Sequence, residues 1–268
     1  MVISGAERIW GRVLKTIVAT AYVFMLAPIA VVVIAAFNDA ELMVFPPTTW
    51  SLRWFRELPQ AHDFIVSFKL SAWLGLATAV VSTVLGSLAA YGLVRHGRRR
   101  QAGVETLLLA PLYVPRVLIG MALLLSLSLV AMAGTFSGML IAHVLITVPF
   151  VIRTVTASLH GVDPAVEEAA RVLGATWRQA FMLVTLPLVR SGVIAGAVFA
   201  FVISFTDVYL AIFLSGPTTI TLPLRIFNFL EWEQTPIVAA ISSVQLLFIV
   251  VVILLAEKAV GLSTAGRI

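Results

Sequence analysis

The chain has 268 residues, of which 60% are hydrophobic and only 12% charged, whereas globular domains run to about 45–50% apolar and about 25% charged. So few charges cannot cover a water-facing surface, and the mean hydropathy of +1.05 excludes a soluble domain and implies an all-α polytopic membrane protein. The net charge of +5 belongs to loops on the cytoplasmic side rather than to a nucleic-acid site, and the lack of cysteine excludes disulfides, iron–sulfur clusters and thiol chemistry.

Charge-poor apolar stretches predict six helices near 13–37, 64–94, 105–131, 135–157, 187–214 and 236–260, each able to supply the about 20 residues that cross a bilayer. Residues 1–12 precede the first. That run exceeds a signal-peptide core and has no small-residue cleavage site behind it, so it reads as a retained helix. The segment 38–63 contains PPTTWSLRWF, whose Trp50, Trp54 and Phe55 suit the headgroup level. Pro111 and Pro115 remove two backbone donors and predict a kink in the third helix. Ala133-Gly134-Thr135 divides the third helix from the fourth. Gly134 with Gly138, and Gly192 with Gly196, are spaced for close helix packing. Residues 215–235 are rich in turn formers, and 261–268 form the tail.

Of the 18 Lys and Arg, thirteen fall on the side that holds both termini. Four (Arg53, Arg56, Lys69 and Arg225) fall on the other, and Arg116 lies within a span. The positive-inside rule then places both termini in the cytoplasm and 13–260 in the membrane region. The most basic run, His96-Gly97-Arg98-Arg99-Arg100, reads as a topogenic loop beside anionic lipid headgroups.

Between the fourth and fifth helices the chain reads GVDPAVEEAARVLGATWRQAFMLVTLPLV from Gly161. Asp163 suits an N-cap and Pro164 a first helical position. Val166, Ala169 or Ala170, Leu173, Trp177 and Phe181 form one apolar stripe, with Glu167, Glu168, Arg171 and Arg178 largely elsewhere. This predicts an amphipathic helix over about 163–181, interrupted at Gly174. By periodicity it either lies in the membrane interface or docks its stripe in a groove on a partner protein.

Glu168-Ala169-Ala170, three residues, Gly174, nine residues, then Val184-Thr185-Leu186-Pro187 resembles the Glu-Ala-Ala loop of ABC-importer permeases. The one departure is Val184 where that pattern has Ile. The resemblance covers about 60–260. The stretch FTDVYLAIFLSGPTTITLPLRIFNFLEWEQTP is similar to the spermidine- and putrescine-carrying subgroup, in particular its second permease subunit. Relatives there also carry opines, amino-acid derivatives and aminophosphonates. The resemblance implies a permease subunit of a bacterial inner-membrane importer that is not itself an enzyme. Its 163–181 segment would be the coupling helix, with Glu168, Ala169, Ala170, Gly174, Leu186 and Pro187 engaging an ATPase dimer. A second permease subunit and a periplasmic or lipid-anchored solute-binding protein would complete the transporter. The chain has no Gly-x-x-x-x-Gly-Lys-Ser/Thr loop, so ATP and Mg are expected on the ATPase and no cofactor on this chain.

Two charges fall inside predicted spans, where ionisable groups are costly and mark function. Asp207 either lines the solute path, with Thr206 and Tyr209 beside it, or serves as an ion-pair partner or helix cap. The polyamine subgroup tends to have two adjacent acids there, and this chain has Thr206 in place of one. Arg116 either pairs with an acid, meets an anionic group of the solute, or snorkels. His143 in the fourth span is either a proton relay or a helix–helix hydrogen bond. An intramembrane enzyme lacks a Gly-x-Ser-x-Gly, His-Glu-x-x-His or paired-Asp site here. An ion-coupled secondary carrier would need broken helices in internal repeats, and no repeat is visible.

Overall fold

The computed structural model describes residues 5–96, 101–232 and 235–265; Gly97–Arg100 of the basic run lies outside them. All regular structure there is helical apart from one isolated bridge between Asn38 and Trp50. In chain order the helices begin with α1 (Gly5–Ala35), α2 (Arg53–Glu57), α3 (His62–His96), α4 (Gln101–Leu109), α5 (Arg116–Ser128) and α6 (Phe136–His160). They continue with α7 (Pro164–Val172), α8 (Trp177–Ala180), α9 (Leu186–Leu188), α10 (Arg190–Thr206), α11 (Tyr209–Leu214), α12 (Leu222–Trp232) and α13 (Ile237–Ala265).

Four stretches, within α1, α3, α6 and α13, are apolar and long enough to cross a membrane unbroken. The count reaches six only if two bent pairs each form one span. Residues Gly103–Leu112 and Arg116–Ser128 meet at 97°. The third predicted helix is therefore broken rather than kinked, because Pro111 and Pro115 deny the ladder two donors within one turn. The fifth begins after a 76° bend before Arg190, ends at Thr206, and resumes as α11. Residues 215–235 are not all turn, since α12 occupies 222–232. Pro223 sits in its first turn, where a missing N–H is harmless.

The chain divides into two compact units, Met1–His62 with Phe229–Leu247 and Asp63–Asn228 with Phe248–Ile268. In the first, Asn38 is fully buried and organises the segment after α1. Its Nδ2 donates to Val44 O (3.3 Å) while its Oδ1 accepts from Ala40 N (3.2 Å). Phe37 packs against Phe55 at 5.1 Å between ring centroids. Trp50 is exposed, as a headgroup aromatic would be, but Trp54 is buried beneath the Arg53 guanidinium.

In the second unit α3, α6 and α10 pack closely. Lipid tails are as apolar as side chains, so close backbone approach and interhelix hydrogen bonds hold such a bundle. A Cβ on Gly192 would lie 2.2 Å from Ser158 Oγ, and one on Gly196 would lie 2.7 Å from Thr154 Oγ1. This pair thus packs α10 on α6 as its spacing predicts. The other pair does not pack helices. Gly134 turns the chain with φ +75 against Gly216, and Gly138 abuts Met132 O at the start of α6. At the α12 end of α3, Leu222 N donates to Ser71 Oγ (2.8 Å), and Arg225 reaches Asp63 (3.4 Å) and Ser67 (3.4 Å).

Candidate functional site

The segment 163–189 folds from local rules. Asp163 Oδ1 accepts from Ala165 N (2.9 Å) and Pro164 opens α7. After Val172 the helix closes in a Schellman motif. Gly174 N donates to Arg171 O (3.0 Å) and Ala175 N to Ala170 O (3.1 Å), with Gly174 at φ +95. Thr176 and Gln179 then form a capping box that starts α8. A π-helical turn over Phe181–Thr185 leads into Leu186-Pro187-Leu188. The interruption expected at Gly174 within 163–181 separates two helices, because the left-handed Gly174 ends the first.

Most of the expected stripe faces out of the chain, and Phe181 does not. Val166, Leu173 and Trp177 are exposed, Leu173 by 89%, and Val172 beside it by 87%, while Phe181 is buried. Glu168, Ala169, Gly174 and Pro187 are exposed; Ala170 and Leu186 are half-buried. The inward face carries Glu167, which the stripe assigns to the polar side. The Tyr91 hydroxyl donates to its Oε1, Thr185 Oγ1 donates to Oε2 (2.9 Å), and Arg95 Nε lies 3.6 Å from Oε2. Arg95 also donates to Val162 O (3.2 Å). Phe181 and Trp177 stack beside it, with the Tyr91 ring edge-on to Phe181 at 4.8 Å. A buried carboxylate persists only when paired and hydrogen-bonded, and two elements distant in sequence provide this.

The two charges within the spans meet each other. Arg116 NH1 donates to Asp207 Oδ2 at 2.9 Å; the Asp207 side chain is wholly buried and that of Arg116 is 36% exposed. Asp207 Oδ1 accepts from Leu210 N (2.7 Å), which caps the start of α11. Both residues stand at helix breaks, Arg116 as the first residue of α5 and Asp207 between α10 and α11. Thr206 and Tyr209 are exposed beside the pair, and Thr206 Oγ1 turns back to Val202 O (2.8 Å).

Three helices share a buried polar cluster that composition could not reveal. His143 Nδ1 and Ser204 Oγ lie 2.8 Å apart, Ser204 donates to Thr78 (3.3 Å), and Ser82 and Thr147 lie 2.7 Å apart. His143 thus makes the helix–helix hydrogen bond. Separately, a cavity of about 650 Å³ opens between α4 and the second half of α6, lined by Glu105, Tyr113, Arg153, Thr156 and His160 among others. Neither Asp207 nor Arg116 lines it. Among the described residues no cluster of His, Asp or Glu could hold a metal ion.

Residues 82–258 match the family described as binding-protein-dependent transport system inner membrane component. The putrescine transport system permease protein PotI of Escherichia coli K12 is 34% identical over 231 residues, 83% of this chain and 81% of that protein. The spermidine/putrescine transport system permease protein PotC of the same strain is 27% identical over 96% of this chain and 97% of its own length. A chain in a crystal structure of a bacterial ABC transporter that imports alginate superposes with a TM-score of 0.74 at 15% identity, covering 96% of this chain and 99% of that one. An inward-facing methionine ABC transporter chain superposes with a TM-score of 0.63 at 13% identity over 76% of this chain and 98% of its own. Family membership sets aside the ion-driven carrier and the intramembrane enzyme. The chain belongs to the binding-protein-dependent transport system inner membrane components: it is an ABC-importer permease, a multi-pass inner-membrane subunit that is not itself catalytic.

Proposed function

We propose that this permease forms half of the path for a polyamine of the putrescine and spermidine class, with a second permease chain as the other half. A periplasmic or lipid-anchored binding protein delivers the solute. An ATPase dimer, which carries the ATP and Mg, grips α7 and α8 on the cytoplasmic side, where both termini also lie. The observation that carries this reading is the outward face of α7: Glu168 and Ala169 with Val172 and Leu173, an apolar knob that the chain's own fold leaves uncovered. Large exposed apolar groups of this kind mark interaction surfaces. The polyamine assignment is supported by the names of PotI and PotC. It also fits the ion pair, because an ammonium can take the place of the Arg116 guanidinium on Asp207 Oδ2. The half-exposed Arg116 favours a second reading, an opine, amino-acid derivative or aminophosphonate whose anionic group meets the guanidinium.

Two experiments test these readings. Leu173→Asp and Glu168→Lys should each abolish co-purification of the ATPase, and undiminished recovery in both overturns the docking assignment. Uptake per assembled transporter in proteoliposomes separates the solutes. For a polyamine, Asp207→Asn should lower putrescine uptake; an unaffected rate, with Arg116→Gln as the damaging change, selects the anionic class.

A further inference from the structure

The described residues hold two buried acids, Asp207 and Glu167, and the docking role leaves Glu167 unexplained. It faces away from the exposed knob of α7, into the chain. Its covalent neighbours tie α7 to α6 through Gly161-Val162 and to α10 through α8 and α9. Displacement of α7 therefore reaches α6 and α10 along the backbone. No short covalent route leads to α3, since Tyr91 is separated from Glu167 by 76 positions. Yet two of the three side chains that bind the Glu167 carboxylate, Tyr91 and Arg95, belong to α3.

From that end α3 runs unbroken for 35 residues, on the order of 50 Å at about 1.5 Å per residue. It touches α6 and α10 midway through Ser82–Thr147 and Ser204–Thr78. At its far end it holds the start of α12 through Ser71, Ser67 and Asp63. We infer that Glu167 is a positioning residue for coupling: its buried carboxylate bolts the docking segment to α3, and α3 carries displacement between that segment and α12. The inference rests on the reading of α7 and α8 as the ATPase-docking segment. Glu168 and Glu167 then divide the work, the first turned out to the partner and the second turned in to the helix that must move with it.

The test uses the assembled transporter, with its ATPase, partner permease and binding protein, in proteoliposomes. Three variants grade the link. Glu167→Gln keeps one acceptor oxygen, for Tyr91 or Thr185, and loses the other together with the charge opposite Arg95; Glu167→Leu removes every acceptor, and Tyr91→Phe removes one donor and keeps the ring. The readouts are ATPase recovery, unstimulated ATP hydrolysis, thermal unfolding midpoint, and the stimulation of hydrolysis by solute-loaded binding protein. A merely structural role would lower recovery or the midpoint. The coupling role predicts normal recovery and unstimulated hydrolysis, with stimulation reduced about ten-fold in Glu167→Leu, the scale of one lost charge-assisted hydrogen bond, and by less in the other two. Wild-type stimulation in all three variants overturns the inference. Should Glu167→Leu fail to accumulate, Tyr91→Phe and Glu167→Gln decide alone. Failure of the wild-type chain to recover any ATPase overturns the docking reading first, and is distinct from a variant that recovers ATPase and remains fully coupled.

Discussion

The Arg116–Asp207 pair makes an asymmetric prediction, because its two members are unequally buried. Asp207 is wholly inside the protein, whereas 36% of the Arg116 side chain is exposed. Replacing Arg116 with Gln strands a carboxylate that has one remaining donor, Leu210 N. Breaking a buried pair from one side costs about 3–5 kcal/mol, and the surviving hydrogen bond holds the loss near the lower figure. Replacing Asp207 with Asn strands only a guanidinium that can swing toward polar surroundings on its own stem. It also keeps an oxygen for Leu210 N, so helix α11 retains its cap. Partial exposure screens the lost attraction, and about 1–2 kcal/mol is expected. Asp207→Ala removes the cap as well and should add about 1 kcal/mol. The assay is reversible unfolding in mixed micelles of the two single variants, the double variant and Asp207→Ala. The double variant should be less destabilised than the sum, with a coupling energy of about 1.5–3 kcal/mol. Equal losses for Arg116→Gln and Asp207→Asn, or a coupling energy below about 0.5 kcal/mol, would refute the assignment of this pair as a working ion bond.

Three other perturbations separate backbone, packing and topology. Gly174→Ala should cost about 1–2 kcal/mol from its left-handed φ alone, and Gly174→Leu no more, because a Cβ there meets nothing within 4 Å; any larger effect of Leu should appear only with the ATPase bound. Gly192→Ala should be worse than either, since its Cβ would lie 2.2 Å from Ser158 Oγ and 2.7 Å from Thr154 O, and equal midpoints for Gly174→Ala and Gly192→Ala would refute the close α6–α10 contact. Cysteines introduced at Ser51 or Thr218 should react with an impermeant reagent from outside intact cells, and one at Lys258 should not; the reverse pattern overturns the proposed orientation. Thr218 is the better probe of its loop than Thr219, which is buried with its hydroxyl on Gly134 O.

The features legible in the sequence are those whose cause is local. Asp163 and Pro164 start a helix, Gly174 ends one, and Pro111 and Pro115 break one, because each acts on its own turn of backbone. The size of the breaks was not legible, since a missing donor permits a bend but packing sets its angle. The same limit explains α12. Pro217 and Pro223 read as turn formers in a loop, yet Pro223 starts a helix whose other residues carry no breaker. Gly134 shows the converse. Its spacing from Gly138 suits helix packing, but a glycine that turns the chain cannot also lie on a helix face.

The two buried acids show why one functional candidate was visible and the other was not. Asp207 interrupts an apolar run, where a charge carries an insertion penalty of a few kcal/mol, so its position alone demands a partner. That the partner is Arg116, 91 positions earlier, no periodicity could indicate. Glu167 stands in a short amphipathic segment among other charges, where an acid costs nothing and reads as solvated. The stripe reading takes the apolar face as the one that meets the membrane interface or a partner's groove. It says nothing of which charged residue turns back into the chain, because that depends on α3, far away in sequence. Here Val172 and Leu173 are uncovered while Glu167 is enclosed. Under the proposed docking of α7 and α8 on the ATPase this arrangement has a reason: apolar groups that face away from their own fold leave a surface to be held from outside, and the inward carboxylate ties the same segment to α3.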